Sequence, residues 1–178
     1  MAGRYSTLAA QGDYLKDVEP SSVGTGNKLA ATEMTDAEAF ADAVIDARYS
    51  MYERDAWDQV TGTPPPVINR IALFLGGYVC QGILNYRDGR QPDEGGHFAV
   101  NWLLKQAFDL MAMVDRAKCI ALADGTIQRP KQGIGVIRIT RSTPSFITSN
   151  RMLQELWCQV DTRWTDYQRT LPYFAFGN

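Results

Sequence analysis

The sequence predicts a mainly α protein: a small helical bundle with an extended or β arm and a C-terminal tail. Three observations point there. Apolar residues recur at helical spacing along four long stretches, 35–60, 65–87, 97–123 and 150–171. An apolar share of 45% and an aromatic share of 11% over 178 residues suffice to bury a core. The composition also changes after Asp124: residues 125–154 contain no Asp or Glu, yet carry Arg129, Lys131, Arg138, Arg141 and Arg151. The chain therefore divides into a helical core, 1–124, and a basic extended arm followed by an amphipathic segment and an aromatic tail, 125–178.

Taken in order, Ser6 to Leu15 reads as a short helix weakened by Gly12, and residues 19–34 as a loop rich in Pro, Ser, Gly and Thr. Thr35 reads as an N-cap, with Asp36 and Glu38 completing a capping box at the positive end of the helix dipole. Phe40, Ala41, Val44, Ile45, Tyr49, Tyr52, Ala56, Trp57 and Val60 then continue one helical stripe as far as Gly62. Glu38, Asp42 and Asp46 form an i, i+4 row opposite it, which reads as a solvated face. Pro64, Pro65 and Pro66 mark a rigid corner and a helix start, since proline in the first turn loses no intrahelical hydrogen bond.

The helix predicted from Pro65 to Arg87 is apolar nearly all round. Val67, Ile68, Ile71, Ala72, Phe74, Leu75, Tyr78, Val79, Gly82 and Tyr86 share a broad face, and Leu73, Gly77 and Leu84 lie elsewhere. Such a helix is surrounded by others. Gly76, Gly77 and Cys80 are small residues that let a neighbouring backbone approach. The unbroken apolar or small run, Ile71 to Cys80, is short of the roughly 20 residues a membrane span needs. A third helix is predicted from His97 to Ala123. Leu103, Leu104, Ala107, Phe108, Met111, Val114, Ala117, Ala121 and Leu122 face the core, Lys105, Asp109 and Arg116 face out, and Gly125 sits at the helix end. GVIRITRS alternates apolar and polar residues like a strand. Leu153, Leu156, Trp157, Val160, Trp164 and Tyr167 outline a last amphipathic helix, stopped by Pro172.

Several function classes find no support. A net charge of −2 gives no whole-chain case for a nucleic-acid binder. Cys80, Cys119 and Cys158 are too few and too dispersed for a disulfide framework or a zinc site. The N-terminus lacks the apolar core of a secretory signal. His97 is the sole histidine and reads as a capping or surface residue. Walker A, Gly-x-Ser-x-Gly and HExxH patterns are absent. Asp42 with Asp46, and Asp88 with Asp93 and Glu94, are only loose carboxylate groups. No catalytic residue, cofactor or metal is expected. The charge is lopsided instead: residues 1–60 hold eleven acidic and five basic residues. The candidate partner-binding residues are Arg129, Lys131, Arg138 and Arg141 in the arm and Tyr173, Phe174 and Phe176 in the tail. Aromatics at a chain end are otherwise unusual.

In their order, these elements resemble the head–tail connector (adaptor) proteins of tailed bacteriophages. The resemblance covers residues 3–125. It rests on Tyr5-Ser6-Thr7-Leu8, on AVIDARYSMY, on PPPVINRIALFLGGYVCQGI and on LLKQAFDLMAMVDRAKCIALADG. Gly76, Gly77 and Gly82 stand where the family often has tyrosine and arginine, and the C-terminal part is longer. The resemblance implies a non-enzymatic virion protein of the neck, assembled in the host cytoplasm as a homo-oligomeric ring, usually a dodecamer. Its partners would be the portal protein, a stopper or tail protein, and DNA passing through the channel without sequence-specific binding. No membrane is implied. In such a ring the acid-rich N-terminal half of one subunit would meet the basic arm of the next, head to tail. The other readings are a small helical DNA-binding regulator using the basic 125–151 segment and, with only loose carboxylates behind it, a small hydrolase.

Overall fold

The computed structural model describes residues 3–6, 20–21, 29–57, 62–87, 98–131 and 150–170. It is mainly helical. Helices α1 (Ala31–Arg48), α2 (Pro66–Arg87), α3 (Phe98–Ala117) and α4 (Arg151–Thr170) form a bundle with α2 at its centre, packed against each of the other three. Two small sheets complete it. β1 (Pro20–Ser21) pairs in parallel with β2 (Leu29–Ala30), Pro20 opposite Leu29. β3 (Ile120–Ala121) pairs antiparallel with β4 (Ile127–Gln128), Ile120 opposite Gln128.

α1 begins four residues before the predicted cap. Its N-cap is Ala30, in extended conformation, and Glu33 Oε2 accepts the Ala30 N–H at 2.8 Å. Leu29 and Met34 occupy the positions of a hydrophobic staple and are both buried. Thr35 therefore lies inside the helix, its hydroxyl donating to the Ala31 carbonyl at 2.9 Å. α1 also stops early, at Arg48 rather than near Gly62. Along an unbroken helix, residues 49 and 57 would be about 12 Å apart. The chain instead turns through a short 3₁₀ segment, Asp55–Trp57, and the Tyr49 and Trp57 ring centroids come to 6.4 Å. The same reversal brings Arg54 into an ion pair with Asp46.

α2 begins one residue after the predicted start, and the Asn69 N–H donates to the Pro65 carbonyl at 2.9 Å. Its burial runs round most of its circumference, from Ile68 through Leu75, Gly76, Gly77, Tyr78, Val79 and Cys80 to Ile83 and Leu84. By length and composition this helix could cross a membrane, but 67% of its most apolar window is buried inside the protein. Tyr86, predicted in the core, is 61% exposed in the last turn. Gly76, Gly77 and Cys80 are buried as expected, and a close helix approach is found at Gly82, where a Cβ would lie 3.0 Å from Leu156 of α4.

α3 ends at Ala117, short of Ala123, because Lys118 takes a left-handed conformation (φ 49°). The hairpin follows. The Leu122 N–H donates to the Thr126 carbonyl at 2.8 Å, and Gly125 has φ 85° in the turn, so it serves a β-turn and not a helix end. Ala117 and Ala121 are consequently exposed, while Ile120 is buried and Leu122 packs against the core. Asn150 caps α4, its side-chain oxygen accepting the N–H groups of Met152 (3.1 Å) and Leu153 (3.4 Å). Leu153, Leu156, Val160 and Trp164 form its buried stripe. Trp164 packs edge-on to Phe108, with centroids 5.0 Å apart. The Arg48 guanidinium lies 3.8 Å from its ring centroid while also pairing with Asp115. The predicted GVIRITRS strand, His97, most of the predicted 6–15 helix and the aromatic tail lie outside the described residues.

Candidate partner-binding surface

Two charged regions meet at one aromatic cluster. Tyr5, Tyr49, Tyr52 and Trp57 stack around a shared centre, with centroids 6.3 Å apart for Tyr5–Trp57, 5.9 Å for Tyr49–Tyr52 and 5.8 Å for Tyr52–Trp57. Trp57, Tyr5 and Tyr49 are among the largest fully buried side chains. Trp57 looks both ways. One edge meets Tyr5 of the N-terminal segment, and its indole N–H donates to Gln128 Oε1 of β4 at 2.9 Å.

On the acidic side, residues 3–6 lie as a short strap across α1 and α2. The row expected to be solvated is what holds it. Asp42 accepts the backbone N–H groups of Arg4 (2.6 Å) and Tyr5 (3.3 Å). Asp46 accepts the Tyr5 phenol (2.5 Å), pairs with Arg54 and lies 3.6 Å from the Arg4 guanidinium. Asn69 of α2 donates to the Tyr5 carbonyl at 2.8 Å. Glu38 is buried beneath Gly3, where a Cβ would come within 2.9 Å of the Glu38 Cβ and 2.5 Å of the Ser6 carbonyl oxygen. Only glycine fits there without a shift. Burial pushes the Asp42 carboxyl up to about 6, against the downward pull of its two N–H donors, with the Asp46 and Glu38 charges adding to the rise. Burial, and then the hydrogen bond to Asp46, drive the Tyr5 phenol above its ordinary range, so it stays a donor.

One signal for this role was present in the sequence. Carboxylates at i and i+4 repel each other, and no basic residue stands three or four positions from Glu38, Asp42 or Asp46 on α1. Such a row needs donors from elsewhere in the chain. Arg4, Arg54 and the strap's N–H groups supply them.

On the basic side, the chain leaving the hairpin is pinned to the α1–α2 connection. Gln128 Nε2 donates to the Glu53 carbonyl at 2.7 Å, and the Lys131 N–H donates to the Met51 carbonyl at 2.7 Å. The backbone and one amide do the holding. The side chains of Arg129 and Lys131 are left exposed, the latter in a long 3.9 Å pairing with exposed Glu53. Arg138, Arg141, Tyr173, Phe174 and Phe176 lie outside the described residues. Sequence reasoning did not single out the exposed apolar groups Trp102 and Met113 of α3 and Ile127 of β4. Met113 borders a shallow depression with Asp109, Ala112, Arg116 and Ala117.

The described side chains offer hydrogen bonds and charge. Among the described residues, no group of three His, Cys, Asp or Glu side chains could hold a metal ion. The three cysteines are free thiols, and burial pushes the Cys80 thiol up to about 12. Comparison with family models, curated proteins and solved structures returns no match.

Proposed function

We propose that this chain is a structural, non-enzymatic subunit of a tailed-phage head–tail connector. In this reading its copies form a ring beneath the portal, extend the DNA channel and present a surface to the stopper or tail. The observation that carries the reading is the pinned root of the basic arm. Gln128 and Lys131 fix the chain to the core through backbone and amide bonds, so Arg129 and Lys131 point away from it, and the acid-free stretch that follows starts from a fixed place. A rigid bundle that launches a basic segment is suited to gripping an adjacent subunit or the portal, and to lining a channel for DNA without reading its sequence.

The acidic surface offered to a neighbour is smaller than the composition suggests. Glu33, Asp42 and Asp46 are engaged within the chain, by Arg87, the strap and Arg54. Arm contacts would therefore fall on other surfaces, and among the described residues the exposed carboxylates of Glu53, Asp124 and Glu155 are open to them. Negative-stain imaging of the purified protein with and without portal particles tests the reading. A ring of added density beneath the portal is the expected result. Portal particles left bare at micromolar subunit concentration would overturn it.

A further inference from the structure

We infer that, on assembly, the cleft formed by Asp42, Asp46 and Asn69 takes residues 3–6 of a second copy of this chain, so that each subunit is strapped by its neighbour. The inference deepens the assembly reading above and rests on it.

The strap is held as a ligand is held. Asp42 reads two successive backbone N–H groups, Asn69 reads the carbonyl between them and the next residue, Asp46 reads the phenol, and Gly3 fits where a Cβ would collide. Each of these contacts to α1 and α2 is made by residues 3–6 and would be identical if another molecule supplied them. Exchange of an identical element between protomers is for that reason a low-cost route to association. Charge complementarity also fits, since the strap brings the Arg4 guanidinium to 3.6 Å from the Asp46 carboxylate while its backbone N–H meets Asp42.

Nor does the cleft suit vacancy. Without a strap, Asp42 and Asp46 would face each other with Glu38 behind them, and the edge of Trp57 that meets Tyr5 would be uncovered.

Chain length permits the exchange. Thirteen residues, 7–19, separate Ser6 from Pro20. Fully extended they reach roughly 45 Å, more than the length of α2, about 33 Å for its 22 residues. In a closed ring the adjacent cleft is presented at high effective concentration, and a strap seated there adds a buried tyrosine to the subunit contact.

Complementation between two full-length variants tests this. Tyr5→Ala disables the strap and leaves the cleft intact. Asp42→Asn with Asp46→Asn disables the cleft and leaves the strap intact. Exchange predicts that each variant alone stays monomeric by native mass measurement and that a mixture yields a dimer with one copy of each. A mixture that remains monomeric overturns the inference, as does either variant assembling alone. If Tyr5→Ala does not fold, judged by its melting curve, Gly3→Leu is the second strap-disabled variant. A labelled peptide of residues 1–10 gives an independent reading on the strap-disabled chain. It should bind, and its Gly3→Ala version should bind at least tenfold more weakly. Equal binding of the two peptides, or none by either, counts against the inference. The outcomes separate it from the connector reading: rings on the portal without mixed dimers would refute exchange alone, and mixed dimers with bare portals would refute the connector alone.

Discussion

The acidic row of α1 and the basic root of the arm carry opposite charge and use it in opposite ways. In the row, the charged groups are themselves the bonding groups: Asp42 and Asp46 are spent on Arg4, Tyr5 and Arg54 inside the molecule. At the root, neutral groups do the bonding. The Gln128 amide and the Lys131 N–H anchor the chain, and the cationic side chains beside them face solvent. A count of charge along the sequence treats both as surface. Hydrogen-bond partnership separates them: the carboxylates are bonded by the strap and Arg54, while the cationic side chains of the root stay exposed.

Trp57 is where the two regions can be broken together. Trp57→Ala removes the ring against Tyr5 and the donor to Gln128, so strap and arm root should loosen at once. A buried tryptophan lost to alanine costs about 3–5 kcal/mol. Thermal melting should register the loss, and hydrogen exchange should rise both at residues 3–6 and at 126–131. Exchange rising in only one of the two would show that Trp57 does not couple them.

A second substitution sharpens the contrast by destabilising the bundle away from both regions. The added methyls of Gly82→Val meet Leu156 across α2 and α4. Overpacking of this kind costs about 1–3 kcal/mol. Melting should fall while protection at residues 3–6 and 126–131, measured well below the transition, is unchanged. An unaltered melting temperature would mean that α4 shifts freely and does not lock the bundle.

The uneven legibility of the sequence follows from what each element answers to. α2 is apolar on nearly every side, so burial alone determines it, and its start and end lie within a residue of the pattern. α4 was legible through periodicity instead, since Leu153, Leu156, Val160 and Trp164 make one buried stripe at helical spacing. α1 was harder. Its stripe continues through Tyr49, Tyr52 and Trp57, but those rings converge only if the helix stops, a tertiary fact that periodicity cannot carry. The end of α3 was hidden by Lys118, a residue with no special preference for the left-handed conformation it takes. For the site, composition identified the basic stretch, whereas the role of the acidic row depended on a strap nearly 40 residues away in sequence. Only the unrelieved i, i+4 repulsion hinted at it.

Titration distinguishes the regions without any large structural change. Asp42 sits at about 6 in the folded protein, above its ordinary value of 3.8. The folded state therefore binds this proton more tightly than the unfolded chain does. The associated stability is fully present below pH 4 and is lost as pH rises through 6. Asp42→Asn should remove this component, making the slope of unfolding free energy against pH less negative between pH 4 and 6. A slope identical to that of the parent would place Asp42 in a more solvated setting. Arg129→Ser and Lys131→Ser remove no hydrogen-bond donor to Asp42, so this component should remain in the double variant.

Those two substitutions have the smallest expected effect on the fold and bear most directly on function. Arg129 and Lys131 are exposed, and the bonds that fix the root come from the Lys131 backbone and from Gln128, neither of which the serines remove. Among the described residues the ion pair lost, Lys131 with Glu53, is long and exposed on both sides. Surface pairs of that kind contribute about 0–1 kcal/mol, and substitutions away from buried features generally fall within about 0.5 kcal/mol. The double variant should melt with the parent protein. If its cations serve a partner, its association with portal particles should weaken and the salt dependence of that association should flatten, because fewer charges are neutralised on contact. Portal association unchanged at every salt concentration would assign Arg129 and Lys131 to solvation alone and move the arm's contact to residues beyond 131. A lowered melting temperature would mean instead that these side chains help hold the root, and that the contrast with the acidic row is one of degree.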